Sequence, residues 1–170
     1  MRAWIVSLLS LSVGCTTLPE QVKPVDHFEL SRYLGTWYEI ARLDHRFERG
    51  LTRVQAQYAL NADGSVQVIN RGYDPVRQRW QQATGVAKFM GSSDTGLLKV
   101  SFFRPFYGTY AVFALDHEQY QYAVISGPSH DYLWILARTP TLTDPLKQQL
   151  VEKAQAAGFD TKQLIFVAQE

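Results

Sequence analysis

The sequence predicts an all-β fold, an eight-stranded antiparallel up-and-down barrel with one helix packed outside and a short final strand. Short runs of β-branched and aromatic residues alternate with turn signals, and aromatic residues make up 13% of the chain. A single helical pattern follows these runs near the C-terminus. Because helices and strands do not alternate, a parallel sheet is not expected.

The predicted strands are bounded by glycine, proline, asparagine and aspartate, the residues that favour turns. The eight strands are expected over residues 35–42, 52–60, 66–73, 78–90, 97–103, 108–116, 120–126 and 132–138. Ahead of the first strand, apolar side chains stand out in a polar segment and are expected to plug one end of the barrel. They are Phe28, Leu30, Tyr33 and Leu34.

One helix is predicted after the eighth strand. Apolar residues recur there at helical spacing: Leu146, Leu150, Val151 and Ala154. Thr143 or Asp144 can cap its start, Pro145 suits the first helical position, and Gly158 ends it. Residues 164–167 are predicted to form the short final strand.

The first residues are predicted to be a signal peptide, since Arg2 precedes a short apolar run over residues 3–11. This run is far below the ~20 residues that a membrane-spanning helix needs. Cys15 is the only cysteine, so no disulfide can form within the chain. The expected organisation is a signal peptide over 1–14, a tether over 15–26 and a barrel domain over 27–170.

Charge gives no indication of a nucleic-acid partner. The formal net charge is +1, and removal of residues 1–14 would remove Arg2 and leave a neutral chain. No run of lysine or arginine marks a basic surface.

Three sequence blocks carry a resemblance to a known family. The first holds Gly35 and Trp37, the second runs over residues 126–132, and the third begins at Arg138 and continues into Thr139 and Pro140. In this order and spacing they resemble the lipocalins, and most closely the bacterial outer-membrane lipoprotein lipocalins, which are similar to apolipoprotein D. The resemblance implies that Arg138 lies across Trp37 and closes the floor of the barrel, with a cation–π gain of ~0.5–2 kcal/mol.

The end of the signal peptide resembles a bacterial lipobox, although Ser12 stands where leucine is usual. The resemblance implies cleavage after Gly14, lipidation of Cys15 and attachment to the outer membrane on its periplasmic face. Thr16, rather than an aspartate, follows Cys15, which favours the outer over the inner membrane by the same resemblance. An ordinary signal peptide with an incidental cysteine is the alternative.

Strand alternation predicts an apolar interior able to hold one small ligand. Gly85, Ala87 and Phe89 share one face of their strand, and the small residues among them are expected to leave room. The faces of residues 108–116 and 120–126 stay open, because both faces are apolar there. The candidate ligand-binding residues of the interior and rim are Phe89, Val100, Phe102, Phe106, Tyr110, Phe113 and Trp134.

A small hydrophobic lipid, a fatty acid or a lysophospholipid, is the expected ligand. Burial of a tail of ~12 methylenes contributes roughly 10 kcal/mol, and association costs of ~4–15 kcal/mol offset much of it. The polar head is expected near arginines at the open rim: Arg42, Arg46, Arg49 and Arg104. Solvated loop charges are an equally good interpretation of these arginines.

The sequence contains no known catalytic motif, so no enzyme activity, metal or cofactor is predicted. Four histidines are expected at the surface without metal-ligand spacing: His27, His45, His117 and His130. Glu39 has the same strand parity as Trp37 and is expected to point inward and pair with a neighbouring arginine.

Three hypotheses stay open: a tethered lipid carrier, an envelope structural or interaction lipoprotein with a filled barrel, and a lipid-modifying enzyme. Surface tyrosine and tryptophan positions also allow a homodimer, for which the sequence locates no interface.

Overall fold

The computed structural model describes residues 17–170, so the predicted signal peptide and Cys15 lie outside the described part. The elements in chain order are α1 (Leu30–Tyr33), β1 (Gly35–Arg42), β2 (Thr52–Leu60), β3 (Val66–Asp74), β4 (Arg79–Phe89), β5 (Leu97–Phe103), β6 (Phe106–Leu115), β7 (Tyr122–Ser126), β8 (Leu133–Ala137), α2 (Asp144–Ala156), a short 3₁₀ helix (Thr161–Gln163) and β9 (Ile165–Phe166).

Strands β1 to β8 form a closed antiparallel barrel. Each strand pairs with the next along the chain, and β1 pairs with both β2 and β8, which closes the sheet. The short β9 is bonded to the outer side of β1. The predicted fold class is therefore confirmed, including the single long helix and the final strand. β7 begins two residues later than expected, because Tyr120 has a left-handed backbone with φ of 55°.

The barrel has two different ends. β1 starts at Gly35 beside α1 and runs to Arg42, and alternation places every second connection at the end where Arg42 lies. We call this end the mouth; its connections are residues 43–51, 75–78, 104–105 and 127–132. The opposite end is the floor, formed by α1 and residues 61–65, 90–96 and 116–121.

Two β-bulges change which side chains face the interior. The β1–β8 register shifts between Glu39 and Ala41, so that Ile40 and Ala41 both join the outer apolar cluster. The β6–β7 register shifts between Val112 and Ala114, where one extra residue is accommodated. A bulge thereby breaks the simple alternation that the sequence pattern assumes.

Helix α2 covers the outer face of the barrel. Leu150 and Ala154 are fully buried against an apolar cluster contributed by several strands, including Ile135 and Val124. Gly158 follows the helix with φ of +89°, the conformation that a glycine adopts most readily. Within residues 17–170 no helix has the length and apolar character needed to cross a membrane.

The predicted tether over residues 15–26 is not a free linker in its described part. Pro19 and Val22 are buried, and the amide of Val25 donates to the carbonyl of Val112 over 2.8 Å. The sequence signs of a linker, polar residues and prolines, do not reveal that alternate side chains dock against the barrel. The barrel unit thus effectively begins before residue 27.

Candidate ligand-binding site

The floor is sealed by Trp37, which is fully buried. Its indole N–H donates to the carbonyl of Tyr33 over 2.8 Å, and the guanidinium carbon of Arg138 lies 3.9 Å from the ring centroid. Arg138 also donates to the carbonyls of Arg32 and Thr36. The predicted stacking of Arg138 on Trp37 is present, and it ties α1 to β1 and β8.

Three tyrosines form a layer across the interior above the floor. The hydroxyl of Tyr110 lies 2.7 Å from that of Tyr33 and 2.8 Å from that of Tyr58. Burial raises the pKa of all three phenols, so each stays protonated and available for hydrogen bonding. Below this layer the enclosed free space is about 10 Å³, room for one water molecule. The lower half of the barrel is therefore filled.

A buried charged cluster lies at the mouth. Arg42 donates to a carboxyl oxygen of Glu39 over 2.7 Å and to the carbonyls of Glu48 and Leu51. On the other side of the cluster, the indole N–H of Trp134 donates to a carboxyl oxygen of Glu48 over 3.0 Å. These bonds hold the 43–51 loop across the barrel opening, and the expected pairing of Glu39 with an arginine is present.

The two carboxyls of this cluster differ in protonation. Burial, together with the nearby charge of Glu48, raises the pKa of Glu39 well above its usual range. Burial also opposes ionisation of Glu48, but the hydrogen bond and charge of His45, with help from Trp134 and Arg42, outweigh it and lower that pKa. The shifts favour the protonated form of Glu39 and the ionised form of Glu48, beside the cationic Arg42.

His45 corrects one expectation, because it is buried rather than at the surface. Its Nε2 lies 2.9 Å from an oxygen of Glu48, and its ring packs edge-on to Trp134. Nδ1 of His45 and Nε of Arg42 are buried without a hydrogen-bond partner among the described residues. The cluster consequently retains unused hydrogen-bonding capacity at the mouth.

Open space remains in the barrel between the tyrosine layer and the mouth. Gly108 lies opposite the inward-facing Val100, and a Cβ added to it would meet no atom within 4 Å. Ala83 pairs across the sheet with Asn70, and Asn70 pairs with the interior residue Ala56, so Ala83 shares the interior face of the sheet. Its side chain is nevertheless exposed to solvent. The interior is thus accessible from the side of β4 to β6.

The strand pairing explains where this access lies. β4 runs over Arg79–Phe89, yet it pairs with β5 only over Val86–Phe89. The half of β4 nearer the mouth therefore has no partner on its β5 side. One prediction about this region is wrong: Gly85 does not leave room, because the ring of Phe102 lies within 2.8 Å of where its Cβ would be.

The structure places five of the seven candidate ligand-binding residues against the interior apolar cluster: Phe89, Val100, Phe102, Tyr110 and Trp134. Phe89 packs edge-on to Phe28 near the filled floor, whereas Val100 pairs with Gly108 beside the open space and the ring of Phe102 covers Gly85. Phe106 is 74% exposed at the mouth. Phe113 is wrong as an interior residue, since it lies on the face of β6 opposite to that of Tyr110 and Val112 and packs outward on Phe159, with ring centroids 5.7 Å apart.

The four arginines expected to meet a polar head are not equivalent. Arg42 is fully buried and already bonded within the cluster, and Arg49 pairs with Asp44 over 2.7 Å. Arg46 lies over the ring of Phe47, and Arg104 is exposed. Only the last two keep their guanidinium groups free of ion pairs in the described structure.

Sequence reasoning missed several residues of the site. Gly108 belongs to a strand whose two faces are both apolar, and Tyr58 was not predicted, although it shares the parity of Ala56 opposite Trp37. Glu48 belongs to a loop, where a carboxylate is normally solvated, and only the fold shows that it is buried. The three-residue spacing between His45 and Glu48 is the sequence feature that could have indicated their contact.

A second concavity of about 520 Å³ lies on the outer surface of β3 to β5. It is lined by outward-facing polar positions such as Gln67, Thr84 and Ser101 and is poorly suited to an acyl chain. Within residues 17–170 no group of three histidine, aspartate or glutamate side chains is placed to hold a metal ion.

A closed eight-stranded barrel with a sealed floor, an accessible mouth and an apolar interior defines a class of small-ligand-binding β-barrels. Comparison with known proteins identifies the family within this class. The model of the lipocalin-like domain matches residues 28–169, and the chain belongs to this family.

Relatives of this chain support the same assignment. The outer membrane lipoprotein Blc of Vibrio cholerae is 52% identical over the whole of both chains. Apolipoprotein D of Mus musculus is 31% identical, over 88% of this chain and 79% of the relative. The structure of insecticyanin from Manduca sexta matches 89% of this chain and 86% of that chain with a TM-score of 0.67 at 20% identity, a likeness in fold. The outer-membrane location expected from sequence is confirmed by the name that the V. cholerae relative carries.

Proposed function

We propose that this lipocalin is a lipoprotein tethered to the outer membrane through Cys15 that binds one single-chain lipid, a fatty acid or a lysophospholipid, and carries it within the envelope. The observation that carries the ligand proposal is the open space above inward-facing Gly108. Val100 and Phe102 offer apolar contact there, and the tyrosine layer limits how far a chain can enter.

The mouth suits the polar head of such a lipid. Glu39, whose raised pKa favours the protonated form, and the unused Nε of Arg42 offer hydrogen-bond donors beside the opening, and Arg104 is an exposed cation near it. An acidic head could therefore stay at the opening while its chain leaves water, and each buried methylene contributes ~0.8 kcal/mol. Binding of this kind needs no covalent chemistry.

The anchor proposal has separate support. The lone Cys15 follows Gly14 at the end of the apolar run, and the relative that matches this chain from end to end is named a lipoprotein. Residues 1–14 are then a cleaved signal peptide, and residues from Cys15 onward the mature chain facing the periplasm.

A filled barrel that serves as an envelope interaction protein is the second candidate. The observation that favours it is the small free space of about 10 Å³ below the tyrosine layer. The two candidates differ in whether an apolar lipid enters the upper barrel at all.

The deciding experiment replaces Gly108 by a residue whose side chain fills the open space. Gly108→Leu places a side chain where the lipid is proposed to lie, and it should lower the affinity for a fluorescent fatty acid about tenfold or more, as expected when a ligand loses several buried methylenes. Gln57→Leu, an exposed β2 position that points away from Ala56 and Tyr58, is the matched control and should bind as the wild type does.

Native mass spectrometry of the gently extracted wild-type protein supplies the second measurement. A bound species of lipid mass, exchangeable with added lysophospholipid, supports the carrier. Equal fatty-acid binding by wild type and Gly108→Leu, or no bound and no exchangeable lipid at micromolar concentration, would favour the filled barrel instead.

A further inference from the structure

The N-terminal segment runs along the outside of the barrel from the mouth to the floor. The hydroxyl of Thr17 donates to the carbonyl of Pro128, in the β7–β8 connection at the mouth, over 3.1 Å. Farther along, the amide of Phe28 donates to the carbonyl of Asp94 at the floor over 2.7 Å. The described chain therefore starts beside the mouth.

This starting point limits where a membrane anchor can lie. One residue separates Cys15 from Thr17, and two residues of chain span at most ~7 Å. If Cys15 carries the lipid, as in the proposed function on which this inference rests, the mouth is held close to the bilayer and the floor is far from it.

The mouth carries exposed apolar side chains on three of its connections. Phe47 is 57% exposed, Val76 89%, Phe103 72% and Phe106 74%, and we call these four side chains the rim. At the floor, among the described residues, Leu60 is the one large apolar side chain of comparable exposure, at 58%. Exposed apolar groups gathered at one end of a protein mark an interaction surface.

The charges of the two ends differ in sign. Exposed arginines surround the rim: Arg46, Arg49, Arg77, Arg79 and Arg104. Two of these arginines are paired with aspartates, Arg49 with Asp44 and Arg77 with Asp74, and Asp131 is a further exposed acidic side chain there. At the floor, residues 61–65, 90–96 and 116–121 contain aspartates and a glutamate but no lysine or arginine, and the exposed Arg32 of α1 pairs with Glu29.

We propose that the rim docks on an anionic lipid surface, so that the mouth opens directly onto the bilayer to which the chain is tethered. Apolar tips enter the headgroup region, while the neighbouring guanidinium groups meet lipid phosphates. A second copy of the chain fits this surface less well, because rim-to-rim contact would bring the arginines of both copies together.

The test measures which end of the acylated protein touches the bilayer. In that protein the thiol of Cys15 is consumed, so a single introduced cysteine gives a single label. Val76→Cys places an environment-sensitive fluorophore at the rim, and Ala62→Cys places the same fluorophore on an exposed turn at the floor. Both variants are reconstituted into phosphatidylglycerol-containing vesicles whose lipids carry a quencher.

The expected result is loss of fluorescence from the Val76 label and none from the Ala62 label. Equal quenching of the two labels, or stronger quenching at Ala62, overturns the proposal. Failure of the anchor gives a different result, an intact Cys15 thiol by mass spectrometry. The rim is then tested in the full chain carrying Cys15→Ser, where docking predicts that the Val76 label is still quenched and an unquenched label overturns it.

The charge contribution is tested in the same Cys15→Ser chain. Arg79→Gln together with Arg104→Gln should weaken binding to phosphatidylglycerol vesicles roughly fivefold for each charge removed. Lys88→Gln with Lys153→Gln removes the same charge from exposed positions away from the mouth and should change binding little. Equal losses in both double variants would show that net charge, and not the rim, attracts the membrane.

Discussion

Trp37 and Arg138 close the floor of the barrel and are not expected to contact the ligand. The indole is fully buried, lies below the tyrosine layer and donates to α1 through the carbonyl of Tyr33. Gly35 allows Arg138 to approach, because its φ is +96° and an added Cβ would lie 3.4 Å from a guanidinium nitrogen of Arg138. The first family block is thus explained by closure of the barrel.

Replacement of Trp37 by alanine should therefore cost stability directly. Trp37→Ala should lower the free energy of unfolding by ~3–5 kcal/mol, because a buried aromatic side chain is lost and its cavity remains. Urea denaturation gives the measurement. Trp80→Ala, at a side chain that is 41% exposed, is the control and should cost about 1 kcal/mol or less. A similar cost for both variants would contradict the role assigned to Trp37.

The two mouth carboxyls should differ in their response to substitution. Glu48 lies 2.9 Å from Nε2 of His45, accepts from the indole of Trp134 and has a lowered pKa, so Glu48→Gln should destabilise the protein at neutral pH by ~3–5 kcal/mol, the cost of removing a buried charge from its partners. The raised pKa of Glu39 means that burial disfavours its charged form, and Glu39→Gln, which keeps a side chain of the same shape that can still accept from Arg42, should cost less. Thermal unfolding of both variants at neutral pH distinguishes them.

The pH dependence of unfolding follows from the directions of the two pKa shifts. A raised pKa at Glu39 means that the folded protein gains stability from the protonated form, and this gain is lost as pH rises through the folded pKa. A lowered pKa at Glu48 gives stability that is present at neutral pH and lost in acid. Glu39→Gln should accordingly remove the loss of stability that begins as pH rises above the ordinary glutamate range, and a profile unchanged from wild type would argue against a raised pKa at Glu39.

At the scale of the elements, alternation and turn signals were sufficient to predict the barrel. Strands β1, β2 and β5 have the limits expected from sequence, since glycine, proline and charged residues bound them clearly. Strict alternation of inward-facing and outward-facing residues cannot predict a β-bulge. The extra residue in β6 places Ala114 on the same outer face as Phe113, and the one in β1 places Ile40 and Ala41 on the same outer face.

Reliance on alternation also explains why only part of the candidate site could be predicted from the sequence. Period-two patterning identified Val100 and Phe102 as interior residues, because Lys99 and Ser101 mark the other face. It could not show that Phe102 fills the space over Gly85, or that the space over Gly108 stays empty. Those facts depend on side chains from neighbouring strands, as does the burial of Glu48 in a loop of charged residues.

At the scale of the whole molecule, the features proposed to be functional lie at one end. The accessible interior, the charged cluster, the exposed arginines of the rim and the start of the described chain all belong to the mouth, whereas the floor is closed and its three loops carry acidic but no basic residues. A lipid that enters or leaves the mouth would then have a short path to the membrane. The Trp37–Arg138 contact and the proposed binding site are consequently separated along the barrel axis, with Trp37 at one end and Gly108 nearer the other.

This separation predicts what loss of the anchor does. Cys15→Ser removes the site of lipidation but leaves residues 17–170 unchanged, so the variant should bind a fluorescent fatty acid with wild-type affinity. In cell fractionation it should leave the outer-membrane fraction on washing with high salt, because salt screens the attraction of the arginines around the rim to anionic lipid, whereas the acylated wild type should stay until detergent is added. A variant that still requires detergent for release would show that Cys15 is not the anchor. A variant that leaves the membrane but loses fatty-acid affinity would show that the anchor and the binding site are coupled.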